Sequence, residues 1–272
     1  MRLALVVALV VALVVTLGCV QPTPVDRALA MVRQHKDSDA IALLRVELTT
    51  HPDDLPARKL LIRVLANEGD LGAARDEVDE LAKRAPPGDP SPWIELGHAY
   101  ELAHKFDEAL AAYDEAATRA PDSPQGPREG GMRCARWGEA ADALSRLEEA
   151  VKRGSHDAET LHTLGLVRVH MHDLKGAAQA YREGLRADPE SRENLLGLAT
   201  VAVLSNDPAS ALVAYDALLS LAPSFAPAEL GRAWALAKLG KKAEAEKALD
   251  HATELGALVA DVEKQRAALR AP

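Results

Sequence analysis

The 272-residue chain is poor in the residues that carry chemistry or staple a fold. It has two cysteines, Cys19 and Cys134, so there is no disulfide framework and packing must hold it together. Aromatic residues make up 3% against 48% hydrophobic, which leaves Ala/Leu-rich helices to build the core. A basic excess is also missing. The formal net charge of −9 argues against nucleic acid as a partner and against broad adhesion to anionic lipid surfaces. Arg128, Glu129, Gly130 and Gly131 do not form a phosphate loop, because no strand precedes them and no Gly-Lys-Ser/Thr follows. No serine or cysteine nucleophile motif comes with a partner histidine. His162, His170 and His172 lack the carboxylate or cysteine set that would complete a metal site. These absences point away from an enzyme: no catalytic residue, cofactor, metal or small-molecule substrate is expected.

What is present is a period. Alanines recur at Ala40, Ala74, Ala109, Ala143, Ala177, Ala211 and Ala245, in steps of 34, 35, 34, 34, 34 and 34 residues. Four residues after each stands a bulky apolar side chain: Leu44, Val78, Tyr113, Leu147, Tyr181, Tyr215 and Leu249. Prolines at 52, 86, 121, 189 and 223 keep the same beat. A repeat near 34 residues has the length of one two-helix unit whose apolar face is completed only by a stacked neighbour. Small residues let two helices approach, and large ones fill the joint between units. Tyr100, Tyr113, Tyr181 and Tyr215 all fall in such slots, so they read as core. Asn206-Asp207-Pro208 reads as a helix start, with Asp207 as cap and Pro208 as first helical residue.

The third unit carries Trp93, Leu96, Gly97, Tyr100, Ala109, Tyr113, Ala116 and Pro121. The fifth carries Leu161, Leu164, Gly165, Ala177, Tyr181, Gly184 and Pro189, and the sixth is similar. This pattern resembles the tetratricopeptide repeat (TPR). The resemblance implies an all-α solenoid of seven helix pairs over residues 21–259, in a right-handed superhelix, with units starting near 21, 55, 90, 124, 158, 192 and 226. A charged amphipathic helix at 257–271 would cap it, with Leu258, Val262 and Leu269 on one side. The stretch from Pro121 to Gly131 is the most irregular. Pro127, Gly130 and Gly131 lower helix propensity there, so the fourth unit is expected to be the weak joint.

The N-terminus follows a second pattern. Arg2 precedes an uncharged run from Leu3 to Gly18, which is short for a membrane span of about 20 residues but suits a secretory signal. The run ends in Thr16-Leu17-Gly18-Cys19. This resembles the lipobox of a bacterial lipoprotein, although Thr16 and Leu17 stand where that family usually has leucine and a small residue. The resemblance implies a signal peptide at 1–18, diacylglyceryl attachment at Cys19, a tether at 19–25, and an outer-membrane anchor facing the periplasm. An inner-membrane anchor, an uncleaved anchor or an ordinary cleaved signal are the other readings. Cys134 reads as a small buried hydrophobe.

Partners of such arrays usually occupy the concave groove, lined by first-helix residues outside the signature. Carried over unit by unit, these are Lys59, Arg63 and Asn67; His98; Arg128, Met132 and Arg136; His162, Leu166 and His170; Leu196, Val203 and Leu204; and Leu230 and Trp234. The groove is expected to be basic in its first half and apolar in its second, with an exposed Trp234. The layout is similar to small outer-membrane TPR lipoproteins such as type IV pilus pilotins. It implies a non-catalytic scaffold that binds a protein or peptide segment and serves a pilus or secretin, outer-membrane assembly, or peptidoglycan machinery. The alternative is a passive spacer with no groove ligand.

The anchor is tested by labelling cells with a fatty acid. Wild type should incorporate it, and Cys19→Ser should lose both the label and the membrane fraction. An unlabelled wild type would refute the lipobox reading.

Overall fold

The computed structural model describes residues 22–270; the proposed signal, Cys19 and the start of the tether lie outside them. All regular structure among the described residues is helical. The helices follow one another along the chain as seven consecutive pairs: α1 (Pro24–Arg33) with α2 (Asp37–Thr50), α3 (Leu55–Asn67) with α4 (Leu71–Arg84), and α5 (Ser91–Leu102) with α6 (Phe106–Arg119). Next come α7 (Gln125–Trp137) with α8 (Ala140–Lys152), α9 (Ala158–His170) with α10 (Leu174–Ala187), α11 (Arg192–Leu204) with α12 (Pro208–Leu221), and α13 (Ala226–Lys238) with α14 (Lys242–Glu254). A last helix, α15 (Val259–Arg270), follows the seventh pair. No described helix is long and apolar enough to cross a membrane.

The turn inside every pair has the same backbone. A left-handed residue sits at His35, Gly69, His104, Gly138, His172, Asn206 and Gly240, with φ between 51° and 87°. The next residue's N–H reaches back five positions, as in Lys36 N to Met31 O (3.0 Å), Glu139 N to Cys134 O (2.9 Å) and Asp207 N to Ala202 O (2.8 Å). The left-handed residue itself donates three positions back, as in His172 N to Val169 O (3.0 Å). These are Schellman closures, which satisfy the last carbonyls of each first helix and reverse the chain in a fixed direction. Aspartates then start several second helices: Asp70, Asp173 and Asp207 each accept the N–H three residues on. Pro208 follows Asp207 as the first helical residue, as expected. At the start of the array, Thr23 and Asp26 form a reciprocal capping box.

The repeating alanines are all buried, and so is the bulky residue four positions after each. Tyr181 shows how the slots interlock. A β-carbon at Gly165 on α9 would overlap its ring, and one at Gly197 on α11 would lie 2.5 Å from its Cε1. The ring is thus seated between a glycine of its own unit and a glycine of the next. Gly231 on α13 receives Tyr215 in the same way. Tyr100 differs from the other three tyrosines. It is only partly buried, and its hydroxyl lies 3.3 Å from Arg75 Nη1.

By contact the chain forms two compact units. One runs to Pro87 and includes Ser91–Ala109; the other comprises Gly88–Pro90 and the chain from Leu110 on, so the boundary falls within α6. In the first, Leu44, Leu61, Ile62, Leu65, Val78 and Leu81 form the core. In the second, cores follow one another along the chain, around Leu147 and Leu164, around Tyr181 and Val201, around Tyr215 and Leu218, and around Leu249 and Val262. Cys134 is buried in the first of these, and burial pushes its thiol pKa up. Val262 and Leu269 of α15 are buried, as expected, but Leu258 precedes the helix and is 72% exposed.

The fourth pair does not look like a packing defect. A β-carbon on Gly131 would lie 2.8 Å from Leu147 Cγ, and one on Gly126 would lie 2.5 Å from Ala117 N. The glycines are filled by neighbours that move in, so their propensity cost is offset by close helix approach.

Two stability measurements follow. Gly197→Ala should cost about 1–3 kcal/mol by overpacking Tyr181. Gly138→Ala, which meets no atom but forces a side chain into the left-handed region, should cost about 1–2 kcal/mol. Denaturant midpoints at or above wild type for both would contradict the interlock and the turn geometry.

Candidate functional site

The expected surface residues lie on the first helices of their pairs, and none is fully buried. Their electrostatics differ from the expectation. In the first unit, Arg63 on α3 grips Glu95 on α5 with two bonds, Nε to Oε2 and Nη2 to Oε1, each 2.6 Å. His98 Nδ1 lies 3.9 Å from the same carboxylate. Asn67 donates to Asp37 at 2.8 Å. Burial pushes the Glu95 carboxyl up, but hydrogen bonds from His98 and Arg63 outweigh it and hold the pKa down to about 2. Lys59 is partly buried without a carboxylate partner among the described residues.

In the second unit, Arg128 is held by Glu129 and Glu159 and donates from Nε to Thr160 Oγ1 at 3.0 Å. Asp157 Oδ2 stands 3.6 Å away. Two of the four cations expected to form a basic half, Arg63 and Arg128, are therefore neutralised by carboxylates. A charge-assisted bidentate pair is geometrically fixed and leaves little charge for a ligand.

The next residues come together in one place. Met132 and Arg136 of α7 and Thr163, Leu166, Val167 and His170 of α9 line an open hollow of about 390 Å³, together with Ala135, Gly138 and Ala140. Leu166 is 50% exposed, and Arg136 is exposed with no carboxylate partner among the described residues. His162 does not join this hollow. Its ring packs 5.7 Å from that of Tyr181, its Nδ1 is buried without a partner, and burial lowers its pKa.

Further along, Leu196 lines a smaller hollow of about 220 Å³ with Leu218 and Phe225, and Leu204 is exposed. Val203 and Trp234 pack against the core around Tyr215. Leu230 packs against the core that includes Val262 and Leu269 of α15, and Gln265 Nε2 donates to its carbonyl at 3.1 Å. The exposed tryptophan expected from the sequence is instead partly buried, because its indole serves the junction of the sixth and seventh pairs.

One feature lies outside the first-helix positions of the repeat pattern. A trough of about 670 Å³ lies on the second-helix side of this unit, between α10 and α12, with α11 as its floor. The exposed Val213, flanked at four-residue spacing by Ala209 and Ala217, was the available signal.

An all-α chain of successive helix pairs, offering hollows between helices and no metal-holding cluster among the described residues, belongs to the class of repeat proteins that present surfaces. The tetratricopeptide repeat signature matches residues 90–123 in one form and 25–90, 136–192 and 196–260 in another. The chain belongs to the tetratricopeptide repeat family. Protein FlbA of Caulobacter vibrioides is 28% identical over 227 residues, covering 81% of this chain; the chain spans 31% of that relative's length. Among solved structures, the C-terminal part of a TPR protein of Cytophaga hutchinsonii is similar over 89% of this chain and 98% of its own, with 13% identity and a TM-score of 0.66. YrrB, described as a TPR protein with an unusual peptide-binding site, is similar over 66% of this chain and 93% of its own, with 18% identity and a TM-score of 0.60. These likenesses define the fold.

The Glu95 carboxylate gives a pH prediction. Its folded pKa of about 2 lies below the ordinary 4.5, so it contributes stability above pH 4.5 that is lost as pH falls toward 2. Glu95→Gln should lower stability at neutral pH and flatten the acid limb of unfolding. An acid limb unchanged by the substitution would show that the Arg63–Glu95 contact is not formed in solution.

Proposed function

We propose that the chain is a non-catalytic scaffold that binds a protein or peptide segment on its first-helix face and is anchored to a bacterial envelope through Cys19. The observation that carries this reading is the hollow between α7 and α9. Four residues chosen from the repeat pattern alone, Met132, Arg136, Leu166 and His170, line it together. It combines an exposed leucine and a methionine with an unpaired guanidinium, the mixture that orients a segment by charge and holds it by apolar burial. The peptide-binding site named for YrrB supports the same use of the fold.

The occupant in this reading is a segment with an apolar anchor for Leu166 and Met132 and a carboxylate for Arg136. The N-terminal pattern supports placing that interaction at the periplasmic face of the outer membrane, in assembly of a pilus or secretin, of outer-membrane proteins, or of peptidoglycan machinery. Trp234 and Leu230 have a structural role in this account, and Arg63 and Arg128 tie neighbouring pairs together.

The test is affinity isolation of the full-length chain from membranes, identification of the co-purifying protein, and titration of that protein against variants. Leu166→Glu with Arg136→Glu should weaken binding at least tenfold, about 1.4 kcal/mol, with an unchanged far-ultraviolet spectrum. Unchanged affinity in the double variant, or no co-purifying protein, would leave a passive spacer as the better account.

A further inference from the structure

The trough on the second-helix side is a different surface, and its walls have helical spacing. Leu174, Ala178 and Leu185 come from α10, and Ala209, Val213 and Ala217 come from α12. Positions 174 to 185 span about 16 Å, three turns of helix. The floor is buried and apolar, with Leu195 and Val201 of α11. Its volume of about 670 Å³ falls within the range of about 300–1,000 Å³ typical of ligand clefts. Val213 is 71% exposed on a helix where a polar residue would be ordinary.

The α10 wall of the trough carries cations. Lys175 and Arg182 line the trough, and Arg186 lies one turn beyond Arg182 on α10. None of the three has a carboxylate within 4 Å among the described residues. Elsewhere in this acidic chain arginines are mostly paired: Arg168 with Glu148, Arg146 with Asp114, Arg232 with Asp216. The one carboxylate at the trough, Asp207, is occupied, accepting from Ser210 N at 3.1 Å and Ser210 Oγ at 2.6 Å as the cap of α12. An apolar trough three turns long, edged on one wall by unpaired cations, complements a helix with an apolar stripe and an acidic flank.

We infer that this trough is a second docking surface, and that its occupant is an acidic amphipathic helix of another protein, laid between α10 and α12. The apolar stripe would cover Val213, Ala217, Ala178 and Leu185, and the acidic flank would meet Lys175 and Arg182. Helix-in-groove recognition of this kind reads anchors at i, i+3/i+4 and i+7. The charge edge sets which way the helix lies and excludes basic partners.

The probe is a fluorescent helical peptide of about four turns, with leucines at i, i+4, i+7 and i+11 and glutamates beside them, titrated into the full-length chain. A second peptide carries lysine in place of glutamate. The acidic peptide should bind at least tenfold tighter than the basic one, with affinity falling as salt rises. Val213→Glu, and separately Lys175→Glu with Arg182→Glu, should each weaken it at least tenfold. Arg136→Glu on the first-helix face should leave it unchanged, which separates this surface from the one proposed above. Equal binding of the two peptides, no binding of the acidic one, or indifference to both trough variants would overturn the inference. So would sedimentation showing that wild type dimerises and Val213→Glu does not, because the occupant would then be a second copy.

Discussion

The fold rests on a size match repeated at steps of 34 or 35 residues. A small residue on one helix receives a large one from its neighbour, and the pair closes only at short interhelical distance. Ala177 and Gly165 lie in Tyr181's own unit and Gly197 in the next, so a single ring joins two units. Dispersion and apolar burial at such joints supply most of what a disulfide-free array has to hold it together. The left-handed turns fix the direction in which each second helix returns, so that the large residue meets its small partner. Interlock and turn are therefore coupled: neither places Tyr181 without the other.

That economy determines which surface is left for function. Arginines reach across one repeat to a carboxylate about 32 positions away, as Arg63 does to Glu95, and Arg128 reaches Glu159. Half of the four expected first-helix cations are thus taken up in registering neighbouring pairs. Leu230 of the last pair is likewise taken up by the core it shares with α15. What remains is local: the hollow at Met132, Arg136 and Leu166, and the trough beside Val213. Both occur where a helix wall carries small residues and a long cation has no acid in reach.

Much of the fold was legible in the sequence because alanine and its large partner recur as residue types. The turn period was equally regular but harder to see, since histidine, glycine and asparagine share its seven positions and only their φ angle is common. Gly130 and Gly131 lower helix propensity, whereas Arg146 and Leu147 close on them. At the candidate site, the repeat frame puts Met132, Arg136, Leu166 and His170 among the groove positions, and these four line one hollow. The frame could not show that Arg63 and Arg128 have partners a full repeat away, or that Trp234 turns into the core around Tyr215. Those facts depend on stacking between units, which no local pattern encodes. The trough is not legible from first-helix positions, because its signal lies in Ala209, Val213 and Ala217 of a second helix.

The central claim is that the array works by holding another protein on the first-helix face near Leu166. The most direct measurement is in-cell photo-crosslinking from an unnatural amino acid at position 166, with Lys152, a well exposed site away from the hollow, as control. The account predicts one dominant adduct from position 166, absent from position 152 and lost when Arg136 is reversed to glutamate. Adducts of equal weak intensity from both positions would contradict it.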